Sequence, residues 1–231
     1  MMRDISDTAL WVAVYRAMET ARPDAIFRDP YADQLAGDRG RSMVDALPQG
    51  RDRAWTMIVR TAVFDDIILD VVRTKRADLV LNLAAGLDSR PWRLELPSTL
   101  EWIDVDFPAI LRYKADVLAN ARPSCRYQAP PLDLADSSKR RALLEKVGGM
   151  ASQVLVVTEG LLIYLSDDEV ASLADDLSSI HSFRWWLTDL ASPALLAMLQ
   201  AQGDWGERLA AANAPLKFAP AAGTRFFAPH G

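Results

Sequence analysis

Acidic residues stand at the ends of the apolar runs of this sequence. Asp106 follows Leu100-Glu101-Trp102-Ile103-Asp104-Val105, and Glu159 follows Val154-Leu155-Val156-Val157-Thr158. Asp133 comes soon after the shorter run Arg126-Tyr127-Gln128-Ala129. The first such run, Leu79-Val80-Leu81-Asn82-Leu83, ends instead on Ala84-Ala85-Gly86, three residues with almost no side chain. A small-residue loop after a first strand, with an acid about 20 residues later at the end of the second, is the arrangement that binds an adenosine cofactor. The loop lets a ligand approach bare backbone, and the carboxylate accepts hydrogen bonds from both ribose hydroxyls. Gly86 alone does not make the three-glycine cradle of a pyrophosphate, which disfavours NAD and favours a nucleoside without phosphate.

Acids gathered at one edge are costly unless something positive or hydrogen-bond-donating lies between them. An ammonium, a ribose and an adenine amino group together would serve. Each acid also has a plainer reading. Asp106 could cap the helix that Pro108 opens, and Asp133 could be a turn residue. Glu159 is harder to explain away, because a glutamate beside a buried strand is rarely left without a partner.

For these residues to meet, the strands must run parallel and deliver their carboxyl ends to one edge. The chain pattern predicts this. Residues 6–20 read as a helix that Ser6 or Asp7 can cap, with Leu10, Val14 and Met18 along one face. Residues 22–31 read as a loop because of Pro23 and Pro30, and 37–50 as another. A long helix over 53–75 takes Trp55, Ile58, Val59, Ala62, Val63 and Val71 as its core face. Helices follow over 109–120 and 137–147, then after the capping box Ser166…Glu169, and near 193–202 and 205–212. Residues 184–188 read as a fifth strand, and Phe226-Phe227 as the start of another. Strands alternating with helices five times imply βαβ units and an α/β fold with helices on both faces of a parallel sheet.

At 231 residues the chain is most simply one domain. A net charge of −5 without a basic stripe argues against nucleic acid as a partner. No apolar run is long enough to span a membrane, and the N-terminus lacks a signal-peptide core, so a cytoplasmic protein is expected. Cys125 is the single cysteine and cannot form an internal disulfide, and no Cys/His grouping suggests a metal site.

The segments LNLAAGLDSRPWRL, WIDVDFP, PLDL and VTEGLLIYL, preceded by RAMET, FRDPYA and RTAVFDD, resemble the leucine carboxyl methyltransferase-like family. These are class I S-adenosylmethionine-dependent methyltransferases that include bacterial polyketide carboxyl methyltransferases. The resemblance runs in order from about residue 8 to 231. It implies a doubly wound, mostly parallel, Rossmann-like sheet, with an N-terminal helical cap over 1–52 and an S-adenosyl-L-methionine-binding unit over 53–231. By the same resemblance, Gly86 and its loop, Ala84 included, face the methionine part of the cofactor. Asp106 holds the ribose, Asp133 accepts from the adenine amino group, and the Leu134 backbone lies beside the ring. Arg60 meets the cofactor carboxylate, Glu159 lies near its amino group, and Tyr164 is closer to the acceptor. The chain departs from the family in placing Ala84-Ala85 where a glycine pair is usual. Family members also continue several tens of residues further and there supply the last strands of a seven-stranded sheet. An incomplete sheet is therefore expected here, its uncovered edge open to pairing in a homo-oligomer.

The implied activity is methyl transfer to a small-molecule acceptor by in-line displacement. A carboxylate acceptor is already ionised at neutral pH and needs no general base. That suits a sequence whose two histidines, His181 and His230, lie outside the strand-end motifs. Arg16, Arg22 and Arg90 are candidates to pair with an acceptor carboxylate, although each also reads as a surface charge. Trp11, Tyr15, Phe27 and Tyr31 suggest a lid over an apolar acceptor pocket, or equally the packing of the first helix on the sheet. Two other readings stand beside this one: a catalytically silent nucleoside-binding or assembly module, and an NAD-dependent oxidoreductase.

Overall fold

The computed structural model describes residues 7–46, 51–52, 54–201 and 215–231. Five apolar runs become strands: β1 (Leu79–Leu83), β2 (Glu101–Val105), β3 (Arg126–Gln128), β4 (Val154–Thr158) and β5 (Phe183–Thr188). They form one parallel sheet in the order β3-β2-β1-β4-β5. Leu79 of β1 lies level with Glu101 on one side and Val154 on the other, so the three central strands end together. Their carboxyl ends make the edge that the strand-end acids occupy.

Strand alternation sorts the core into two layers. Leu79, Leu81 and Leu83 face helices α6 (Ser137–Gly148) and α7 (Asp167–Ser178) through Leu144, Val147, Val170 and Leu173. Val80, Trp102 and Leu155 face α3 (Ala54–Arg73), meeting Phe64, Ile68 and Val72. Asn82 and Asp104 share that second face, which brings two polar side chains beneath α3 and α5 (Pro108–Val117). The short α4 (Arg90–Arg93) joins β1 to β2, and α8 (Pro193–Ala201) follows β5. The capping box forms as expected: the Glu169 amide donates to Ser166 Oγ, and the Ser166 amide donates to Glu169 Oε2.

Three expectations are corrected. The core face of α3 keeps the expected Ile58 and Val71 but otherwise consists of Thr61, Phe64, Asp65, Ile68 and Val72, whereas Trp55, Val59 and Val63 are exposed. The buried polar residues explain the rotation, since Asp65 must reach two arginines beneath the helix. Residues 38–45 are helical rather than a loop, as part of α2 (Ala32–Asp45), which is broken by a kink at the non-helical Gly37. It packs on α1 (Asp7–Thr20), where Gly40 comes so close that a Cβ there would stand 3.2 Å from the Leu10 carbonyl oxygen. Finally, Phe226 and Phe227 lie in a 3₁₀ helix (Gly223–His230) instead of a strand. Both rings pack edge-on against Phe218, at 4.9 and 6.5 Å, whereas a strand would send neighbouring side chains to opposite faces. Ser6, residues 47–50, Arg53 and the helix expected over 205–212 lie outside the described residues.

Among the described residues no helix is long and apolar enough to cross a membrane. The close crossing at Gly40 gives a direct test. Gly40→Leu should lower unfolding stability by about 1–3 kcal/mol, measured by urea denaturation, because the added side chain meets the α1 backbone. An unchanged midpoint would mean that α1 and α2 do not cross in this way.

Candidate active site

The loop after β1 takes the shape that its small residues allow. Ala84 and Gly86 both have positive φ, 56° and 49°, a region most side chains avoid. A Cβ at Gly86 would also come within 3.1 Å of Ala9 Cβ on α1. The turn leaves the Gly86 amide free of secondary structure, and it donates to Asp106 Oδ2 at 2.7 Å. Asp106 Oδ1 accepts from the Phe107 amide, also at 2.7 Å. Burial lifts the Asp106 carboxyl above its usual range, with these two amides pulling the other way. The helix-cap reading of Asp106 fails, because α5 is preceded by Phe107 and has no side-chain cap.

Asp106 also fixes the next loop. Its carbonyl accepts from the Leu132 amide at 3.0 Å, and it bridges to Pro131 in parallel register. Asp133 is then held in a turn by the Ala135 amide, which donates to Oδ1 at 2.9 Å. The turn reading of Asp133 is therefore correct, and the turn places the residue at the rim of a cavity.

At the end of β4, Glu159 lies between two guanidinium groups. Arg60 Nε donates to Oε1 at 3.0 Å and Arg90 Nη1 to Oε2 at 2.7 Å. Burial works against the charge on Glu159, but Arg90 and Arg60 outweigh it and hold the carboxyl below its usual range. Arg60 Nη1 reaches further, to Asp189 Oδ2 at 3.2 Å. Asp189 Oδ1 in turn accepts from the Gly160 amide at 2.6 Å. Gly160 must be glycine twice over: its φ is 67°, and a Cβ would sit 3.0 Å from Arg60 Nη1.

A buried polar layer continues this wall, and its Asn82, Asp88, Arg90 and Arg93 also line the cavity. Arg90 donates to Asp65 at 2.7 Å and Asp88 at 2.9 Å, while Arg93 makes two bonds of 2.6 Å to Asp65. Asp104 is fully buried and accepts from Lys114, Tyr127, Trp102 and Asn82. Lys114 Nζ also donates to the Asp88 carbonyl at 3.2 Å, so the layer braces the loop after β1 from beneath. Burial opposes the charge on Asp88, yet Arg90 and Lys114 prevail and the carboxyl is held down at about 2. For Asp104 burial prevails over Lys114 and lifts the carboxyl. On the side of α1, Arg16 donates to Asp29 at 2.8 Å and to the Leu87 carbonyl at 2.7 Å.

All eight residues singled out in the sequence, Arg60, Ala84, Gly86, Asp106, Asp133, Leu134, Glu159 and Tyr164, line one cavity of about 570 Å³ at the carboxyl edge of the sheet. Trp11 and Tyr15 line it as well, whereas Phe27 packs under Arg93 and Tyr31 joins the α1–α2 core. Among the described residues no histidine lines it. Of the three arginines offered for an acceptor, Arg16 and Arg90 line the cavity but are held in buried ion pairs, and Arg22 lies away from it, exposed and paired with Asp24. Sequence reasoning missed Asp189, Asp65 and the Arg93 pairing. Asp189 did carry a signal, since it follows the fifth strand as Asp106 and Glu159 follow the second and fourth.

Comparison with known proteins supplies the remaining findings. A sequence profile described as Leucine carboxyl methyltransferase matches residues 9–178. A Frankia alni protein, provisionally named an S-adenosyl-L-methionine-dependent methyltransferase, is 35% identical over 186 residues, 76% of this chain and 64% of its own. A Mycobacterium avium protein with the same provisional name is 35% identical over 195 residues, 77% of this chain and 61% of its own. This chain thus spans 61–64% of the length of these curated relatives. Among solved structures, a DUF574 family protein of Streptomyces avermitilis superimposes with a TM-score of 0.61 at 14% identity, over 93% of this chain and 80% of that one. A protein of Thermobifida fusca, provisionally titled a methyltransferase, gives 0.58 at 15% identity, over 94% and 76%. At such identities the likeness is one of fold alone.

Two substitutions test the loop and its support. Lys114→Met leaves Asp104 buried without its cation and should cost about 3–5 kcal/mol of unfolding stability. Ala84→Gly should stabilise the chain by up to about 1 kcal/mol, because the residue already holds a conformation that suits glycine. Denaturant titration of both variants checks the two signs together; a neutral Lys114→Met would show that the polar layer is not a support.

Proposed function

This chain belongs to the leucine carboxyl methyltransferase family, and on that premise we propose that it binds S-adenosyl-L-methionine and catalyses transfer of the methyl group to an oxygen, most simply a carboxylate, of a small-molecule acceptor. The observation that carries the reading is the Asp106 carboxylate bonded to the Gly86 amide at the mouth of the cavity. It presents a fixed acceptor for ribose hydroxyls beside a loop that has no side chain to obstruct a ligand. The relatives named for the same cofactor support it.

The residues present fit such a cofactor at both ends. Asp133 and the Leu134 backbone, at the rim, suit an adenine amino group and ring edge. Arg60, at the far side of the Gly86 loop, suits a carboxylate. The cofactor supplies an activated sulfonium methyl group. The chain supplies position and dryness. Holding acceptor and methyl donor in line contributes about 7–11 kcal/mol to lowering the barrier. Trp11, Tyr15, Met57, Ile163, Leu195 and Leu199 give the cavity an apolar wall that excludes water. A carboxylate needs no deprotonation, in keeping with the lack of a histidine among the described lining residues. Burial holds the Tyr164 phenol above its usual range, so it keeps its proton at neutral pH and can donate a hydrogen bond to the acceptor.

Calorimetric titration of S-adenosyl-L-methionine, S-adenosylhomocysteine and NAD tests this directly. The first two should bind and NAD should not. Asp106→Ala should weaken binding about 10- to 100-fold, as expected for hydrogen bonds to a charged group. Preference for NAD, or no binding by a folded sample, would overturn the reading. Methyl transfer to a panel of carboxylic acids then separates an enzyme from a silent nucleoside-binding module.

A further inference from the structure

The charged end of the cavity holds two acids and one shared arginine, and the two acids are not equivalent. Glu159 has both oxygens committed, one to Arg60 and one to Arg90, and its side chain is only 14% exposed. Its charge is therefore already answered by two guanidinium groups. Asp189 shares Arg60 alone, through a longer 3.2 Å contact, and its side chain is 32% exposed where it lines the cavity. Its second oxygen accepts from the Gly160 amide, which fixes the direction of the carboxylate while leaving lone pairs on both oxygens. A cation entering this end meets a carboxylate paired with one shared guanidinium at Asp189, and one paired with two at Glu159. Beside Arg90, the Thr61 hydroxyl is buried, lines the same cavity and has no hydrogen-bond partner among the described residues, so this end offers a further polar group to a ligand.

We propose that Asp189 receives the α-ammonium group of the cofactor's amino-acid part, while Glu159 is a positioning residue that aims Arg60 at the carboxylate. The inference rests on reading the cavity as an S-adenosyl-L-methionine site, and it moves the ammonium contact from β4 to β5. The arrangement suits a zwitterion. Arg60 faces the carboxylate, Asp189 faces the ammonium, and the two protein groups already stand 3.2 Å apart. It also gives the residue after β5 the same kind of task that Asp106 performs after β2. Each carboxylate is oriented by the amide of a glycine with positive φ on the neighbouring strand's loop.

The test is a binding cycle that crosses Asp189→Asn with removal of the ligand's ammonium. The probes are S-adenosylhomocysteine, its analogue lacking the amino group, and methylthioadenosine, which lacks the whole amino-acid part, all titrated by calorimetry. Asparagine can still accept from the Gly160 amide, and thermal melting checks that the variant is folded. Asp189→Asn should weaken S-adenosylhomocysteine about 10- to 100-fold and leave the other two probes unchanged. Equal weakening of all three would make Asp189 a structural residue and overturn the proposal, as would unchanged affinity for S-adenosylhomocysteine. The analogue lacking the amino group gives a second readout on the native chain, where it should bind about as weakly as S-adenosylhomocysteine binds the variant. If none of the three probes bound the native chain, the functional reading itself would fall, and this inference with it.

Discussion

A guanidinium buried among three carboxylates ties the structure together. Arg90 has almost no exposure and donates to Asp65 on α3, to Asp88 in the loop after β1, and to Glu159 at the end of β4. A charge so far from water is tolerated only when it is closely paired. That requirement binds together three elements distant in sequence. It turns Asp65 inward, and with it the whole face of α3. It holds Glu159 where Arg60 can reach it. Through Asp88 it meets Asn82, which joins Asp104 and Lys114 beneath the loop. The cavity wall is thus shaped by ion pairs whose members Asp88, Arg90 and Glu159 themselves line it.

The cavity in front of that wall divides by chemistry. At one end, acids and a small-residue loop line it: Asp106, Asp133 and the Gly86 loop. At the other, Arg60 stands with Glu159 and Asp189. Apolar side chains from α1, α3 and α8 fill the remaining wall. A molecule with a sugar and a base at one end and a zwitterion at the other matches this polarity. Under the proposed function, an acceptor would take the apolar part of the space, where positioning rather than acid-base chemistry would carry the reaction.

Much of this was legible in the residue pattern because it depends on local rules. The run from Leu79 to Leu83 is buried on both faces and becomes the central strand. Ser166 and Glu169 signal a helix start by spacing alone. Acids after strands mark the edge where ligands sit in a parallel sheet. What stayed hidden depends on contacts made across the chain. Trp55, Val59 and Val63 look like a core face until Asp65 and Thr61 are seen to be buried. Gly40 reads as a loop residue, because nothing nearby reveals that α1 needs the missing Cβ. Phe226 and Phe227 read as a strand until Phe218, which receives both rings, is in place. Arg16 and Arg90 read as surface charges for the same reason: their partners lie 13, 25 and 69 residues away.

The most direct test of the central claim is a crystal structure of the chain with S-adenosylhomocysteine. The ribose should lie on Asp106, the adenine beside Asp133 and Leu134, and the amino-acid part against Arg60, with the Arg90 cluster unmoved. A ligand bound elsewhere, or bound in the reverse direction with its adenine at Arg60, would contradict it.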